Sequence, residues 1–227
     1  MTRFIFLILA VFTISTGFLP AQQNRKKVFT FAIDEDIDPG MNRRVKLAME
    51  QATALKADVI LIEMDTYGGA VTDADEIRTR ILESKIPVYV FINKDAASAG
   101  ALISIACDSI YMAPGASIGA ATVVNGTDGS AAPDKYQSYM RSMMRSTAEA
   151  TGRNPQIAEA MVDEKLVVPG ISDSSSVITF SVAEAIQNGF CEGEYGSAKE
   201  ILEAQGCSLL KSLLTKRKQW TPLSPSF

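Results

Sequence analysis

The sequence of 227 residues contains no histidine. Without an imidazole, a serine nucleophile in this chain cannot use a Ser-His-Asp triad, and histidine-based metal centres are excluded as well. Lysine is the base that remains for such a serine, because a Ser-Lys pair is an established variant of the triad. The missing residue type therefore restricts any serine-based chemistry to one kind of base.

Cysteine is also scarce, with 3 residues, Cys107, Cys191 and Cys207. An odd number leaves at least one thiol unpaired within a monomer. We expect Cys107, in its apolar run, to be a small buried side chain, whereas Cys191 and Cys207 can pair or remain thiols. The sequence has no CxxC spacing, so it predicts neither a metal site nor a cofactor.

Positive charge is not in excess, since the formal net charge is -4 at pH 7. No basic cluster with interleaved aromatic residues is present, which argues against nucleic acid as a partner. The hydrophobic fraction of 47% and the charged fraction of 21% are typical of a folded globular protein. The length is sufficient for one domain with a substantial core.

The longest apolar run lies at the N-terminus. Arg3 precedes the apolar segment 4–12, and Leu19-Pro20-Ala21 follows, which is the organisation of a secretory signal peptide. The run is shorter than the roughly 20 apolar residues of a membrane-spanning helix. We therefore predict a signal peptide over residues 1–21, with an uncleaved anchor as the alternative, and a linker over residues 22–27. Either way, the protein body is expected to be exported.

Strand-like and helix-like segments alternate through the first half of the chain. Strands are predicted over 28–34, 59–64, 87–93 and 109–112, and helices over 41–55, 71–83 and 98–106. This alternation is typical of parallel βαβ units, and continuous apolar strands are typical of a sheet buried on both faces. The sequence therefore predicts an α/β fold with a mostly parallel sheet.

The second half is predicted to be richer in helix. It contains a flexible Gly-rich loop over 125–132, a Met-rich amphipathic helix over 134–151, a short strand over 177–180, and helices over 157–162, 181–188 and 197–205. The methionines are expected in the core or in a dimer interface. We assign residues 28–206 to one domain and residues 207–227 to a loose C-terminal tail.

Ser98 lies between small residues at a predicted strand-to-helix turn. The Gly68-Gly69 pair and the small-residue loop 113–121 also follow predicted strands. Because ligands of parallel α/β folds bind at the carboxyl ends of strands, we expect these segments to converge. Ser98 is then a candidate nucleophile, and the amides of Ala99 and Gly69 are candidate oxyanion donors. The alternatives are a helix N-cap for Ser98 and a plain turn for the glycines.

Two lysines are candidates for the base. An ordinary lysine titrates near pH 10.4, so a lysine base has to be desolvated. Lys135 opens the Met-rich helix, where a cation is disfavoured, and Tyr136, Tyr139 and Met140 are expected to exclude water from it. Lys94 lies nearer to Ser98 in sequence but beside Asp95, and we expect it to be solvated or ion-paired. A surface position is the alternative for Lys135.

Three ordered motifs resemble the N-terminal protease domain of NfeD-type membrane-associated serine proteases, within the ClpP/crotonase superfamily. The motifs are Asp65–Val71, Ala97–Ala101 and Pro114–Ala120. The resemblance implies a ClpP/crotonase-like spiral of ββα units, with Ser98 as nucleophile, Lys135 as base, and Gly69 and Ala99 as oxyanion donors. Gly68, Ser117 and Gly119 are expected to bind or shape the path of the substrate, which would add as a strand along the Gly68-Gly69 and Gly115–Gly119 edges.

The resemblance also implies a function and a location. It implies an exported, homodimeric serine endopeptidase at the extracytoplasmic or periplasmic face of a membrane, which cleaves hydrophobic segments of membrane proteins such as a stomatin-like partner. Two alternatives remain open. One is a catalytically silent exported scaffold that binds a stomatin-like protein, and the other is a crotonase-type acyl-CoA enzyme.

Overall fold

The structure is a computed structural model that describes residues 25–173 and 175–210. The predicted signal peptide, 1–21, lies outside the described residues. The elements are β1 (Lys26–Ile33), α1 (Pro39–Ala54), β2 (Val59–Thr66), α2 (Val71–Leu82), β3 (Val88–Ala97), α3 (Ala99–Ile105), β4 (Ser109–Met112), β5 (Ser117–Gly119), α4 (Asp134–Thr151), α5 (Pro155–Ala160), β6 (Thr179–Ser181), α6 (Val182–Gln187), β7 (Gly193–Glu194), α7 (Ala198–Ala204) and β8 (Cys207–Leu210). None of these helices has the length and apolar composition needed to span a membrane.

An 8-stranded sheet forms the centre of the fold, in the order β6-β5-β3-β2-β1-β8, with β4 beside β3 and β7 beside β4. The described strand pairs are parallel except for β5 and β6, which are antiparallel. The central strands β2 and β3 are largely buried and follow the apolar runs of the sequence. The predicted α/β fold with a mostly parallel sheet is therefore confirmed.

Strand β3 changes its outer neighbour half-way along its length. Residues Tyr89–Ile92 pair with β4, whereas Asp95–Ala97 pair with β5. The strand was predicted to end at residue 93 and residues 113–121 to form a loop, but β3 continues to Ala97 and Ser117–Gly119 form β5, so both expectations are wrong. Strand β5 has no hydrophobic alternation of its own, since it is formed by pairing with β3 and β6. As a result, β3 ends directly at Ser98.

The Met-rich helix α4 packs its apolar face against the helices α2, α3 and α5. Its buried residues share one helical face and are Met140, Met143, Met144, Thr147 and Ala148. The bounds of the helix are those predicted, Asp134–Thr151. Met140, Met143 and Met144 are therefore core residues, which is the first of the two predicted roles, core or dimer interface.

The sheet extends beyond the predicted domain at both ends. Lys26 and Lys27, predicted as linker, belong to β1, and residues 207–210, predicted as loose tail, form β8 alongside Lys26–Phe29. The physical reason is that the outer edge of β1 would otherwise leave its backbone groups without partners. Gly206, with a φ of 64°, turns the chain after α7 into this strand. Residues 211–227 of the predicted tail lie outside the described part.

Helix α3 is the most enclosed element. It has 7 residues, Ala99–Ile105, and every one of them is buried. A helix this short is unstable alone and depends on tertiary packing. Its position is therefore set by the core rather than by its own hydrogen bonds.

We predict that Leu102→Ala, in α3, lowers the free energy of unfolding by about 2–5 kcal/mol. Leu102 is 0% exposed, so the truncation leaves a cavity that the neighbouring side chains fill only partly. Urea unfolding followed by circular dichroism measures the change. The matched control is Leu47→Ala, the same substitution on α1, because Leu47 is 46% exposed and should change stability by less than about 0.5 kcal/mol. Equal losses in the two variants would contradict the assignment of α3 to the core.

Candidate active site

Ser98 occupies the N-cap position of α3 without acting as a cap. Its backbone has φ 53° and ψ -116°, and its side chain makes no capping hydrogen bond. A serine N-cap normally has extended backbone angles and accepts a hydrogen bond from the first turn. Among the described residues, no hydrogen bond of any kind engages the Ser98 hydroxyl. The alternative of a plain N-cap is therefore wrong, and the hydroxyl is available for chemistry.

The backbone of Ser98 is held in an unfavourable conformation by its neighbours. A positive φ is uncommon for a residue with a side chain and costs of the order of 1–3 kcal/mol. The Ser98 N–H donates to the carbonyl oxygen of Gly119 at 2.9 Å, and the Ser98 carbonyl accepts from Ala101 at 3.0 Å. These bonds fix the turn between β3 and α3 from both sides.

Gly68 lies directly against Ser98. A Cβ atom at Gly68 would be 2.6 Å from Ser98 Cβ and 3.1 Å from Ser98 Oγ, and the φ of Gly68 is 118°. Both values require glycine, because no larger residue fits this approach. The sequence-predicted glycine pair and Ser98 are thus brought together by the structure.

The amide of Gly69 is oriented by a bridge to Ile37. The Ile37 N–H donates to the Gly68 carbonyl at 2.8 Å, and the Ala70 N–H donates to the Ile37 carbonyl at 2.7 Å. Because successive groups of an extended chain point to opposite sides, the N–H of Gly69 points away from Ile37. Within the described ranges, neither this amide nor that of Ala99 has a hydrogen-bond acceptor. Both amides are therefore unpaired in the described part of the chain, and their role as oxyanion donors stays a prediction.

Ser98 and both amides line a cavity of about 60 Å³. The residues around it are small or apolar, and they are Gly69, Val71, Ala74, Ser98, Ala99, Ala121, Val123, Val124 and Met140. None of these lining residues carries a charged side chain. A single hydroxyl and two amides in a small apolar enclosure can stabilise negative charge on a bound carbonyl oxygen.

Lys135 is not part of this cavity. Its side chain is exposed, and its Nζ lies 4.8 Å from the ring centroid of Tyr136. Tyr136 and Tyr139 are 49% and 54% exposed, so the predicted desolvation by these tyrosines is wrong; of the three apolar neighbours, only Met140 is buried. The reason is the helical period, because the buried face of α4 begins at Met140 and Lys135 lies in the exposed first turn. Its role as a base stays a prediction.

Lys94 is ion-paired, as expected from its sequence neighbours. Its Nζ lies 3.4 Å from Asp65 Oδ2, and the lysine side chain is 71% exposed. The partner is Asp65 rather than the adjacent Asp95, whose carboxylate accepts from Ser117 Oγ at 2.8 Å. Lys94 therefore has a role that does not involve Ser98.

Ser117 and Gly119, on β5, hold the end of β3 and the turn at Ser98 in place. Ser117 joins β5 to β3 through Asp95, and Gly119 supplies the carbonyl that holds the Ser98 amide. Strand β5 has β3 on one side and β6 on the other. Residues 117–119 therefore have no open edge, and the prediction that a substrate strand adds along this segment is wrong.

Val123 and Val124 form a wall of the cavity that was not predicted from the sequence. They lie between the predicted loops 113–121 and 125–132 and were assigned no role. The Val123 N–H donates to Gln137 Oε1 at 3.0 Å, and Gln137 Nε2 donates to the Val123 carbonyl at 2.6 Å. The side-chain amide of Gln137 thus binds the backbone of Val123 as a neighbouring strand would. The two adjacent valines were the only signal for this wall.

The cysteines do not compete with Ser98. All three, Cys107, Cys191 and Cys207, are free thiols, so Cys191 and Cys207 do not pair. Burial raises the pKa of Cys191 to about 11, which keeps this thiol protonated at neutral pH. Among residues 25–173 and 175–210, no group of three or more Cys, Asp or Glu side chains is arranged to hold a metal ion.

Comparisons with known proteins show which family the chain resembles. A family model described as NfeD1b, N-terminal domain, matches residues 27–211. The membrane protein NfeD1b of Bacillus subtilis is 32% identical over 189 residues, which are 83% of this chain and 43% of that protein. The membrane-bound protease PH1510 of Pyrococcus horikoshii is 40% identical over 117 residues, which are 48% of this chain and 26% of that protein. The chain thus spans less than half the length of these relatives.

Solved structures give the same result for the fold. A serine-to-alanine mutant of the 1510-N membrane-bound stomatin-specific protease superposes with a TM-score of 0.69 at 28% identity, covering 79% of this chain and 84% of that one. A mutant of the same protease with a substituted lysine, in complex with a substrate peptide, also gives 0.69, at 29% identity, covering 79% and 80%. ClpP1 from Listeria monocytogenes, at 21% identity and a TM-score of 0.57 over 76% and 94% of the two chains, shares the fold.

We predict that Gly68→Ala destabilises the protein by at least about 1 kcal/mol more than Gly115→Ala. Both glycines have positive φ values, but a Cβ at Gly68 would collide with Ser98, whereas one at Gly115 would meet nothing within 4 Å. The control therefore carries the conformational cost without the collision. Urea unfolding of the two variants measures the difference, and equal stabilities would show that Gly68 does not abut Ser98.

Proposed function

The chain belongs to the family of NfeD1b N-terminal domains, and from that membership we propose that it is a serine endopeptidase with a Ser-Lys dyad. The observation that supports this proposal best is the placement of Ser98. Its hydroxyl is unengaged, its backbone is held at a φ of 53°, and it shares one cavity with the unpaired amides of Gly69 and Ala99. The relatives named as proteases make the peptidase class the first choice.

In the proposed mechanism, Ser98 attacks the carbonyl carbon of the scissile peptide bond. The Oγ–C bond forms while the hydroxyl proton moves to the neutral amine of Lys135, and the amides of Gly69 and Ala99 bind the oxyanion. The C–N bond then breaks as the ammonium returns that proton to the leaving amine. A water molecule hydrolyses the acyl ester by the same route, transferring its proton through Lys135 to Ser98 Oγ.

Lys135 has to leave its position over Tyr136 to take part in this mechanism. It precedes Met140 on α4 by five residues, and the helical rise puts the two about 7.5 Å apart along the axis. Met140 lines the cavity, so the base would approach from the rim. We infer that a bound substrate covers this rim, excludes water and draws the amine toward Ser98. The related protease with a substituted lysine that holds a substrate peptide supports a lysine in this role.

The proposed substrate is a hydrophobic segment of a membrane protein. The cavity lining is apolar and includes Val124, which is 54% exposed. Tyr67, two residues before Gly69 in the chain, is 80% exposed. The 1510-N protease is named as stomatin-specific, and we propose a stomatin-like protein as the substrate here. We also retain the proposals of export, of action at the extracytoplasmic face of a membrane, and of a homodimer.

One observation favours a second candidate function. Because Lys135 is exposed and is not among the residues that line the cavity, a catalytically silent module that binds a stomatin-like partner is the alternative. An acyl-CoA enzyme of the crotonase type is less favoured, since it would employ carboxylates and no residue lining the cavity is acidic.

We predict that a fluorophosphonate probe labels the wild-type chain and fails to label Ser98→Ala. The probe forms an Oγ–P bond with loss of fluoride, so it reports an activated serine without requiring the natural substrate. Labelling is measured by mass spectrometry of the intact protein. The control is Ser138→Ala, on the exposed face of α4, which should label at the wild-type rate. Labelling that survives in Ser98→Ala would overturn the nucleophile, and absence of labelling in the wild type would favour the silent module.

We predict that Lys135→Ala lowers the labelling rate by about 10²–10⁴-fold, the usual contribution of a general base. The wild-type rate should rise with pH, because only the neutral amine accepts the Ser98 proton, and this dependence should vanish in the variant. Lys94→Ala is the matched control, since it removes a lysine that is paired with Asp65, and it should stay within about twofold of wild type. A slow Lys94→Ala with an unaffected Lys135→Ala would assign the base to Lys94.

A further inference from the structure

Arg153 is buried at the end of α3 that is remote from Ser98. It follows Gly152, the C-cap of α4, and its side chain is 4% exposed. Its Nη1 donates to the carbonyl oxygen of Ile105 at 3.2 Å and to that of Cys107 at 2.9 Å. Thr151 Oγ1 donates to the same Ile105 carbonyl at 2.9 Å. We call these contacts, from Thr151 and Arg153 to the carbonyls of Ile105 and Cys107, the C-terminal clasp.

The clasp meets a specific need of α3. The last carbonyls of a helix have no partner within the helix, and buried carbonyls without partners are costly. In α3, which is 7 residues long and wholly buried, water cannot supply these partners. The planar guanidinium presents several donors in a fixed arrangement, which allows one side chain to bind two carbonyls.

The electrostatic environment of Arg153 argues against a role in stability alone. Its counter-ion is Glu192, whose Oε1 lies 3.5 Å from Nη2, and its buried Nε has no hydrogen-bond partner among the described residues. Burial also lowers the pKa of the guanidinium, against the attraction of Glu192. Because the Glu192 side chain is 40% exposed, this half-exposed ion pair adds little net stability, and apolar residues in place of a buried charge often add more. The arginine instead fixes the position of the C-terminal end of α3, through the carbonyls of Ile105 and Cys107.

Helices α3 and α4 run side by side in the same direction. Ala99, the first residue of α3, and Met140, in the first half of α4, line the same cavity. At the other ends, Ile105 closes α3 and meets Thr151, which closes α4. The clasp therefore sets how far α3 lies along α4, and with it the distance between Ser98 and the first turn of α4, which carries Lys135.

We propose that Arg153 is a positioning residue, which holds the helix of the nucleophile in register with the helix of the base. This proposal rests on the proposed function, because it concerns the geometry between Ser98 and Lys135. A misplacement of about 1 Å can cost about 10²-fold in rate. Loss of the clasp should therefore slow the reaction of Ser98 in molecules that remain folded.

The experiment compares the labelling rate of Ser98 by a fluorophosphonate probe in the full chain, per folded molecule, well below the melting temperature. We expect Arg153→Met to label about tenfold to a hundredfold more slowly than wild type while its circular dichroism is retained. Arg153→Lys should recover part of the rate, because an ammonium can still donate to one of the carbonyls. With a peptide substrate, kcat should fall and KM should stay within about twofold.

The matched control is Arg145→Met, which removes an ion pair of the same helix with Glu159 on α5 and should label at the wild-type rate. Thr151→Val removes a single donor of the clasp and decides the question if Arg153→Met does not fold; we expect a loss of about threefold or more. A folded Arg153→Met, or in its absence a Thr151→Val, that labels at the wild-type rate would overturn the proposal while leaving the peptidase intact. A wild type without labelling at Ser98 would overturn both proposals.

Discussion

The hydrogen bond from the Ser98 amide to the Gly119 carbonyl fixes the point at which a central strand becomes a buried helix. It extends the pairing of β3 with β5 by one step, and it holds Ser98 at its positive φ. The approach of the strands depends on glycine, since a Cβ at Gly119 would lie 2.3 Å from the carbonyl oxygen of Ile178. The end of β3, the turn at Ser98 and the cavity that Ser98 lines thus all depend on the hydrogen bond between Ser98 and Gly119.

Helix α4 connects the other parts of the site. Arg78, on α2, donates to Thr147 Oγ1, and Tyr139 Oη donates to Asp75 Oδ2 at 3.2 Å. Because α2 directly follows the Gly68-Gly69 turn, these contacts join α4 to the helix that follows Gly69, one of the two proposed oxyanion donors. The clasp at Arg153 joins the same helix to the one behind Ser98. Helix α4 thus contacts both the helix that follows Gly69 and the helix that follows Ser98, and it fixes their relative positions.

Sequence reasoning succeeded where the pattern is local. The apolar runs of β2 and β3, the period of α4 and the glycines beside Ser98 follow from side-chain chemistry within a few residues. It failed at β5 and β8, because these strands exist only through partners far away in the chain. It also failed for the surroundings of Lys135, since the exposure of a first-turn residue depends on how the helix is rotated about its axis. The wall at Val123 was missed because a side-chain amide, that of Gln137, takes the place of a strand.

The pairing of β1 with β8 has a consequence for the order in which the domain can be completed. Lys26 and Ser208, which are joined by a hydrogen bond across this pair, are 182 positions apart in the chain. During synthesis, the outer edge of β1 has no partner until nearly all of the described chain has emerged. An uncovered strand edge is a template for aggregation. A nascent form of this protein therefore exposes a strand edge that can pair with other chains until β8 closes the sheet.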